Sequence, residues 1–476
     1  MEFFSISEPL LDFADDTHIC PRAGIAQYST YDAKNQPRRD DIYLGTIGTN
    51  ENIEQLKSWL VKITNPVSPK ASNQPNLFPG FVGFNKRSGY KSEFILGDSN
   101  LKPLLSKEVN QLLQIKNPTN RIEEAVKLYG EKIKFLAQNR TLEVIICIIP
   151  DKLFSKLSTQ KSSDEDQAED HLDTIETNFR RMLKAEVMKY SNIPIQIIRE
   201  NTLKGNPEGV GSTQDDATTA WNLCTALYYK SSNNAIPWKL KSDHNKPLTC
   251  YVGISFYKSR DKSIVYSSLA QVFDEMGRNV ILRGTPVKTD KDDRRPSLDS
   301  TQAYELLNSA VNEYRIAMNT NPARLVIHKT SHFSKEETEG FSGVSEDLRI
   351  QLMDLVSIND ANIRLFRRSS YPPYRGSMVK LDSQNKCLLY TRGSVPFFQT
   401  YPGKYIPQPL EIQPYQAESS PNQICEEILA LTKMNWNNTQ FDRKYPITIE
   451  CARNVGKIIK YLNPNDAPQA NYRFYM

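Results

Sequence analysis

The chain has 476 residues and a mass of 54.4 kDa, enough for two or three cores, because single cores stop growing near about 250 to 300 residues. An apolar fraction of 39%, a charged fraction of 24% and an aromatic fraction of 10% exclude a chain that stays disordered. A net charge of +5 and a pI near 8.6 suit a polyanionic partner without requiring one, so charge placement has to decide. The seven cysteines (Cys20, Cys147, Cys224, Cys250, Cys387, Cys425 and Cys451) are scattered with no CxxC pair. That scatter predicts reduced thiols and no structural zinc. The strongest apolar run, Leu142 to Pro150, is too short to span a bilayer and no leader-like segment opens the chain, so a soluble, cytoplasmic protein without a membrane partner is expected.

From Met1 to about Ile115 short apolar runs alternate with Pro and Gly, as in Phe78-Pro79-Gly80-Phe81-Val82-Gly83-Phe84, and predict loops and short strands wrapping a larger body. Arg121 to Gln138 then carries apolar residues at helical spacing (Ala125, Val126, Leu128, Tyr129, Ile133, Leu136), and Leu142 to Ile149 reads as a buried β-branched strand. The polar, acidic stretch Ser158 to Asp170 predicts a mobile surface loop. A helix from about Leu172 to Tyr190, a strand at Ile195 to Ile198, a Gly-containing loop from Lys204 to Thr213 and a helix at Thr218 to Lys230 follow. This is the alternation of a doubly wound α/β layer.

The texture changes after Thr249. Tyr251 to Phe256, Ser263 to Phe273 and Asn279 to Leu282 predict a three-strand meander, followed by a helix at Ser300 to Met318 and a short buried strand at Arg324 to Ile327. Strands, helix, strand is the order of an RNase H-like core. Helices are expected at about Gln423 to Met434 and Ile449 to Leu462, and the aromatic end (Tyr472, Phe474, Tyr475) should be buried.

The chemistry-bearing positions begin with Arg180 and Lys184, four residues apart and so on one helical face, able to donate to one anion. Taken alone, such a pair is ordinarily a solvated face. Gln196 adds a polar residue inside the apolar strand Ile193-Pro194-Ile195-Gln196, and Lys230 closes the helix containing Asn222-Leu223-Cys224.

In this order the residues resemble the Argonaute family, whose MID domain uses a Tyr, His or Arg, a Lys four residues on, a Gln in an Ile-Pro-x-Gln strand and a second Lys after a helix. The resemblance implies that Arg180, Lys184, Gln196 and Lys230 bind the 5' phosphate of a guide strand, with charge-assisted hydrogen bonds to its oxygens. Pro237-Trp238-Lys239 and Cys20-Pro21-Arg22-Ala23-Gly24-Ile25 look like the short prokaryotic branch. The implied fold is α/β: a Rossmann-like MID domain with an N-terminal wrapping segment over residues 1–245, then an RNase H-like PIWI domain over residues 246–476. Members of this branch also imply a structural Mg2+ at the phosphate, held by Gln196 and the main-chain end at Met476.

RNase H-like nucleases need bridging carboxylates on the first and fourth strands to hold two metal ions. Here Ser255 and Thr330 stand where active members carry Asp, so the resemblance implies a catalytically inactive PIWI domain. Asp261 and Asp290 fall in predicted loops. His328 and His332 have the spacing of a metal pair but lie at a strand end, and read as one core-facing and one exposed histidine. Lys288 to Arg295 is a mixed-sign loop whose Arg294 and Arg295 could touch phosphates. Arg364, Arg367, Arg368 and Arg375, interleaved with Tyr371 and Tyr374, are candidates for a groove that tracks a nucleic-acid backbone.

The branch implies a guide-dependent subunit of a prokaryotic defence system. It would hold a guide RNA, recognise single-stranded target DNA from phage or plasmid, and activate a separate APAZ-containing effector that depletes NAD. The stretches Tyr390-Thr391-Arg392-Gly393 and Tyr401-Pro402-Gly403 look closer to sirtuin-partnered than to TIR-partnered members. Two alternatives remain open at this point: an active nuclease using other carboxylates, and a protein scaffold with no nucleic-acid role.

Overall fold

The computed structural model describes all residues except 35–37, 39, 158–176, 210–213, 244, 261–263, 274–277, 288–295, 366–372, 382–384, 402–405, 441, 464–465 and 467, and the backbone alone at 177–178, 268–273, 278–280 and 282–285. The expected loops at Ser158–Asp170 and Lys288–Arg295, with Asp261, Asp290, Arg294, Arg295, Arg367, Arg368, Tyr371, Pro402 and Gly403, therefore lie outside the described residues.

Val144–Ile149 is buried at every position because both faces of its sheet are covered. Val144, Ile146 and Ile148 point into one core with Leu56, Trp59, Ala220, Trp221 and Leu227. Ile145, Cys147 and Ile149 point into another with Tyr129, Ile133, Phe179 and Leu183. The two-residue period of the strand thus assigns the helices Asn50–Thr64 and Asp216–Ser231 to one face, and Pro118–Asn139 and Thr177–Met188 to the other. The strands run parallel in the order Glu93–Ile95, Asp41–Gly48, Val144–Ile149, Ile195–Arg199, with Leu101–Pro103 also paired to Asp41–Gly48.

One expectation is corrected. The first 115 residues are more than wrapping loops: Asp41–Gly48 is an integral parallel strand and Asn50–Thr64 a helix of 15 residues. Thr49 caps that helix through a reciprocal box with Asn52, and Ile53, Leu56, Trp59 and Ile63 form its buried stripe.

The second layer is a nine-stranded sheet in the order Glu2–Ser5, Ser377–Leu381, Lys386–Leu389, Leu410–Gln416, Leu352–Asp360, Arg324–Lys329, Thr249–Lys258, Val265–Phe273, Arg278–Val287. The last three form the expected antiparallel meander, and Thr249–Lys258 pairs in parallel with Arg324–Lys329. Helices Ser300–Met318 and Lys335–Asp347 cover one face, where Cys250, Val252 and Ile254 meet Leu307, Val311 and Phe341. Helix Ile447–Ile459 covers the other so closely that a Cβ at Gly253 would sit 2.2 Å from the Thr448 carbonyl oxygen. Only glycine permits that approach. The chain's first strand, Glu2–Ser5, is added to this second sheet, 375 residues before its partner Ser377–Leu381 where Glu2 pairs with Lys380 and Ser5 with Ser377. Among the described residues no helix is long and apolar enough to cross a membrane.

Candidate nucleic-acid interface

Phe179, Leu183 and Val187 turn one side of Thr177–Met188 into the core. The neighbouring side carries Arg180 and Lys184 toward the end of Ile195–Arg199 and the last turn of Asp216–Ser231, where Lys230 sits. The Lys184 ammonium donates to the main-chain oxygens of Met476 and, at 3.3 Å, Tyr475. Lys230, only 1% exposed, donates to Gln196 Oε1 at 2.6 Å, to the Met476 main-chain oxygen at 3.0 Å and to the Ile195 carbonyl at 3.2 Å. Arg180 and Gln196 line a cavity of about 300 Å³ with Asn201, Thr202, Asn206 and Asn222. The structure therefore brings all four predicted residues, and Met476, to one place.

The electrostatics are those of an anion site. Burial, then the charges of Arg180 and Arg181, push Lys184 down to about 7. Burial, then Lys184 and Arg180, pushes Lys230 well below the usual lysine range. Among the described residues no carboxylate side chain pairs with either lysine. The oxygens that face them are the Gln196 amide oxygen and the main-chain oxygens of Ile195, Tyr475 and Met476. A dianion entering the cavity would relieve like-charge crowding and restore full protonation.

Gln196 Oε1 and the Met476 oxygen, both hard donors, converge on one cation, the Lys230 ammonium. Their chemistry fits Mg2+ once a phosphate supplies the negative charge. Among the described residues no group of three or more His, Cys, Asp or Glu is placed to hold a metal.

In the second sheet the parallel register pairs Gly253 with His328 and Ile254 with Lys329, and the two positions singled out in the sequence, Ser255 and Thr330, follow the last of these pairs in the chain. A pocket built on a doubly wound layer and the strand order of the sheet together match a known pair of domains. No protein-family model matches the sequence. The chain is similar to the Argonaute protein of Aquifex aeolicus, 24% identical over 283 residues that make up 58% of this chain and 35% of that protein. Among solved structures, Clostridium butyricum Argonaute bound to a guide DNA and a 19-mer target DNA aligns over all of this chain and 55% of its own, at 17% identity and a TM-score of 0.65. Marinitoga piezophila Argonaute in complex with a 5' OH guide RNA aligns over 100% and 59%, at 12% identity and a TM-score of 0.58. Drosophila Piwi aligns over 99% and 56%, at 12% identity and a TM-score of 0.60. The fold is that of the Argonaute MID and PIWI region. The Argonaute-like chain spans about a third of the curated relative and somewhat over half of these structures.

The Argonaute-like PIWI half corrects the proposed arginine groove. Arg375 is buried: its guanidinium pairs with Glu8 at 2.9 Å, bonds Thr432 Oγ1 at 2.8 Å and also reaches the Thr391 carbonyl. It ties the N-terminal segment to the second sheet and offers no surface to a strand. Arg364 is exposed and Tyr374 is 57% exposed, but Arg367 and Arg368 lie outside the described residues. His328 is buried against Thr448 at 2.9 Å, and burial, then Arg324, lowers it to about 3. His332 is exposed, so the pair divides as expected.

Sequence reasoning missed the part of the cavity lined by Gln214, Asn222 and Asn437. Asn222 Nδ2 donates to Gln214 at 2.9 Å, Asn222 Oδ1 accepts from Thr439 N at 3.1 Å and Oγ1 at 2.8 Å, and behind them Arg22 Nε donates to Thr439 Oγ1 at 2.7 Å. No local pattern announces this arrangement.

Proposed function

We propose that this chain anchors a guide RNA by its 5' phosphate at Arg180, Lys184, Gln196 and Lys230, and presents the guide for pairing with single-stranded DNA. The observation that carries the reading is the convergence of Lys184 and Lys230 on the Met476 main-chain oxygen, with no Asp or Glu side chain paired to either among the described residues. Charge-assisted hydrogen bonds are each worth about 1.5–3 kcal/mol. Lys184→Ala with Lys230→Ala should therefore weaken binding of a 5'-phosphorylated RNA by roughly a hundredfold or more and leave the weaker binding of the 5'-hydroxyl RNA nearly unchanged. Thermal melting should show a folded chain. Equal affinity of wild type and double variant for the phosphorylated strand would remove the pocket assignment.

Within the same reading, Gln196 and the Met476 main chain hold Mg2+ when the phosphate is bound, and the ion would screen phosphate charge. The PIWI half binds without cutting, a reading supported by Ser255 and Thr330, non-carboxylate residues that follow the paired Ile254 and Lys329. Cleavage of a matched DNA by the isolated chain with magnesium or manganese would overturn it. Pairing, not side chains, would read the target. Resemblance to short prokaryotic members supports a defence role with an APAZ-containing, sirtuin-like effector as the NAD-consuming partner in a heterodimer. Loss of NAD on adding complementary single-stranded DNA to the co-purified pair is the expected result.

A further inference from the structure

One loop touches both the chain's N-terminal segment and the pocket. It follows helix Pro421–Leu431. At its start Lys433, fully buried, pairs with Glu8 at 2.9 Å and donates to the Pro9 carbonyl at 2.5 Å. Glu8 also holds the buried Arg375 at 2.9 Å. Further along, Asn437 lines the cavity, and Thr439 donates through its N–H and its hydroxyl to Asn222, which lines it too. Between these ends Trp436 donates to the Trp238 carbonyl at 3.1 Å, and Trp238 donates to the Lys433 carbonyl at 3.0 Å. The Trp436 ring packs on Tyr229, the neighbour of Lys230, with ring centroids 4.8 Å apart. Beyond Glu8 the N-terminal segment continues to Leu11 and Asp12, which pair with Leu240 and Lys239 just after Trp238.

Buried indoles are close-packed, so a shift at Lys433 is passed along the loop and not absorbed within it. The Glu8 carboxylate fixes Lys433. Burial pushes the Lys433 ammonium down to about 8 even with Glu8 beside it, and the Arg375 charge adds to the fall. Burial would raise Glu8, yet Arg375 and Lys433 hold it below its ordinary value, so at neutral pH it is ionised. Taking that charge away leaves two buried cations repelling each other, and movement of the loop end toward water relieves them.

We infer that Glu8 is a positioning residue for the pocket: by clamping Lys433 it sets the loop so that Asn437 and, through Thr439, Asn222 line the cavity that receives the 5' end of the guide. The inference rests on the pocket reading. It is tested on the full chain by the affinity and dissociation rate of a 5'-phosphorylated RNA and of its 5'-hydroxyl counterpart. Coupling between separate sites changes affinity by about fivefold or more. Glu8→Gln should therefore weaken binding of the phosphorylated RNA by roughly five- to tenfold, mostly through faster dissociation. Glu8→Asp keeps the charge and shortens its reach by one methylene; it should show a smaller loss of the same sign, and it guards against a folding defect in the Gln variant. In a background of Asn437→Ala with Thr439→Val, which removes the contacts of the loop to the cavity, Glu8→Gln should have no further effect, a result that a general loss of stability would not give. Glu337→Gln, which strands the buried Lys329 elsewhere in the second sheet, is the control and should lower the melting temperature with RNA affinity unchanged. Unchanged affinity in both Glu8 variants, or an equal loss in the Asn437→Ala, Thr439→Val background, overturns the positioning role alone when the wild type prefers the phosphorylated strand. A wild-type chain without that preference overturns the pocket reading and the positioning role with it.

Discussion

Two groups of buried cations in this molecule look alike by exposure and differ in what faces them. In the second sheet Arg324 meets Asp354 at 2.5 Å and Glu427 at 2.7 Å, and Lys329 meets Glu337 at 2.5 Å, all nearly or fully buried. In the first layer Lys230 meets the charges of Lys184 and Arg180, Lys184 those of Arg180 and Arg181, and both meet main-chain or amide oxygens. Burial would lower Arg324, yet its two carboxylates hold it above the ordinary arginine range, whereas the opposing influence of Cys147 on Lys230 is too small to stop its fall. Paired cations are finished structure. Crowded cations without Asp or Glu partners are where the proposed phosphate pocket lies.

Breaking the paired group should give the largest effect. Arg324→Leu strands Asp354 and Glu427 in the core and should cost about 3–5 kcal/mol in chemical denaturation, with Arg324→Leu plus Glu427→Leu recovering part of it. A cost near zero for the single variant would erase the contrast. The crowded group should instead respond to pH. Lys184 sits near 7 when folded and 10.5 when unfolded, so between those values the unfolded chain binds the extra proton and stability rises with pH. Phosphate binding, which favours the ammonium, should weaken over the same rise by up to about tenfold per pH unit, since the phosphate is already a dianion there. Lys184→Met should flatten both trends. Behind the second sheet, His328, held near 3 against 6.5 unfolded, makes stability fall as pH drops from about 6.5 toward 3, and His328→Gln should remove that share of the acid sensitivity in pH-dependent melting.

What could be read in advance follows from range. Val144–Ile149, Pro118–Asn139 and the meander carry their signal in their own residues, and their bounds lie close to those predicted. Arg180, Lys184, Gln196 and Lys230 were legible because a family order joins them. Asp41–Gly48 was obscured by Gly45 and Gly48, which weaken a strand pattern, and Asn50–Thr64 by the Pro- and Gly-rich stretch that follows it. The burial of Arg375 depends on Glu8, 367 positions away, and the support behind Asn222 on Arg22 and Thr439, 417 apart. No window of local sequence contains either pair.

The reach of Met476 back to Lys230, 246 positions earlier, imposes an order on the molecule's birth. At about 5–20 residues per second, a ribosome needs roughly 12–50 s to travel from one to the other. During that interval Lys184 lacks both of the oxygens that it meets in the finished chain, and Lys230 one of its three. A prematurely stopped product would carry the same four residues without their organiser. Readiness for an anion is thus tied to having translated the chain through residue 476.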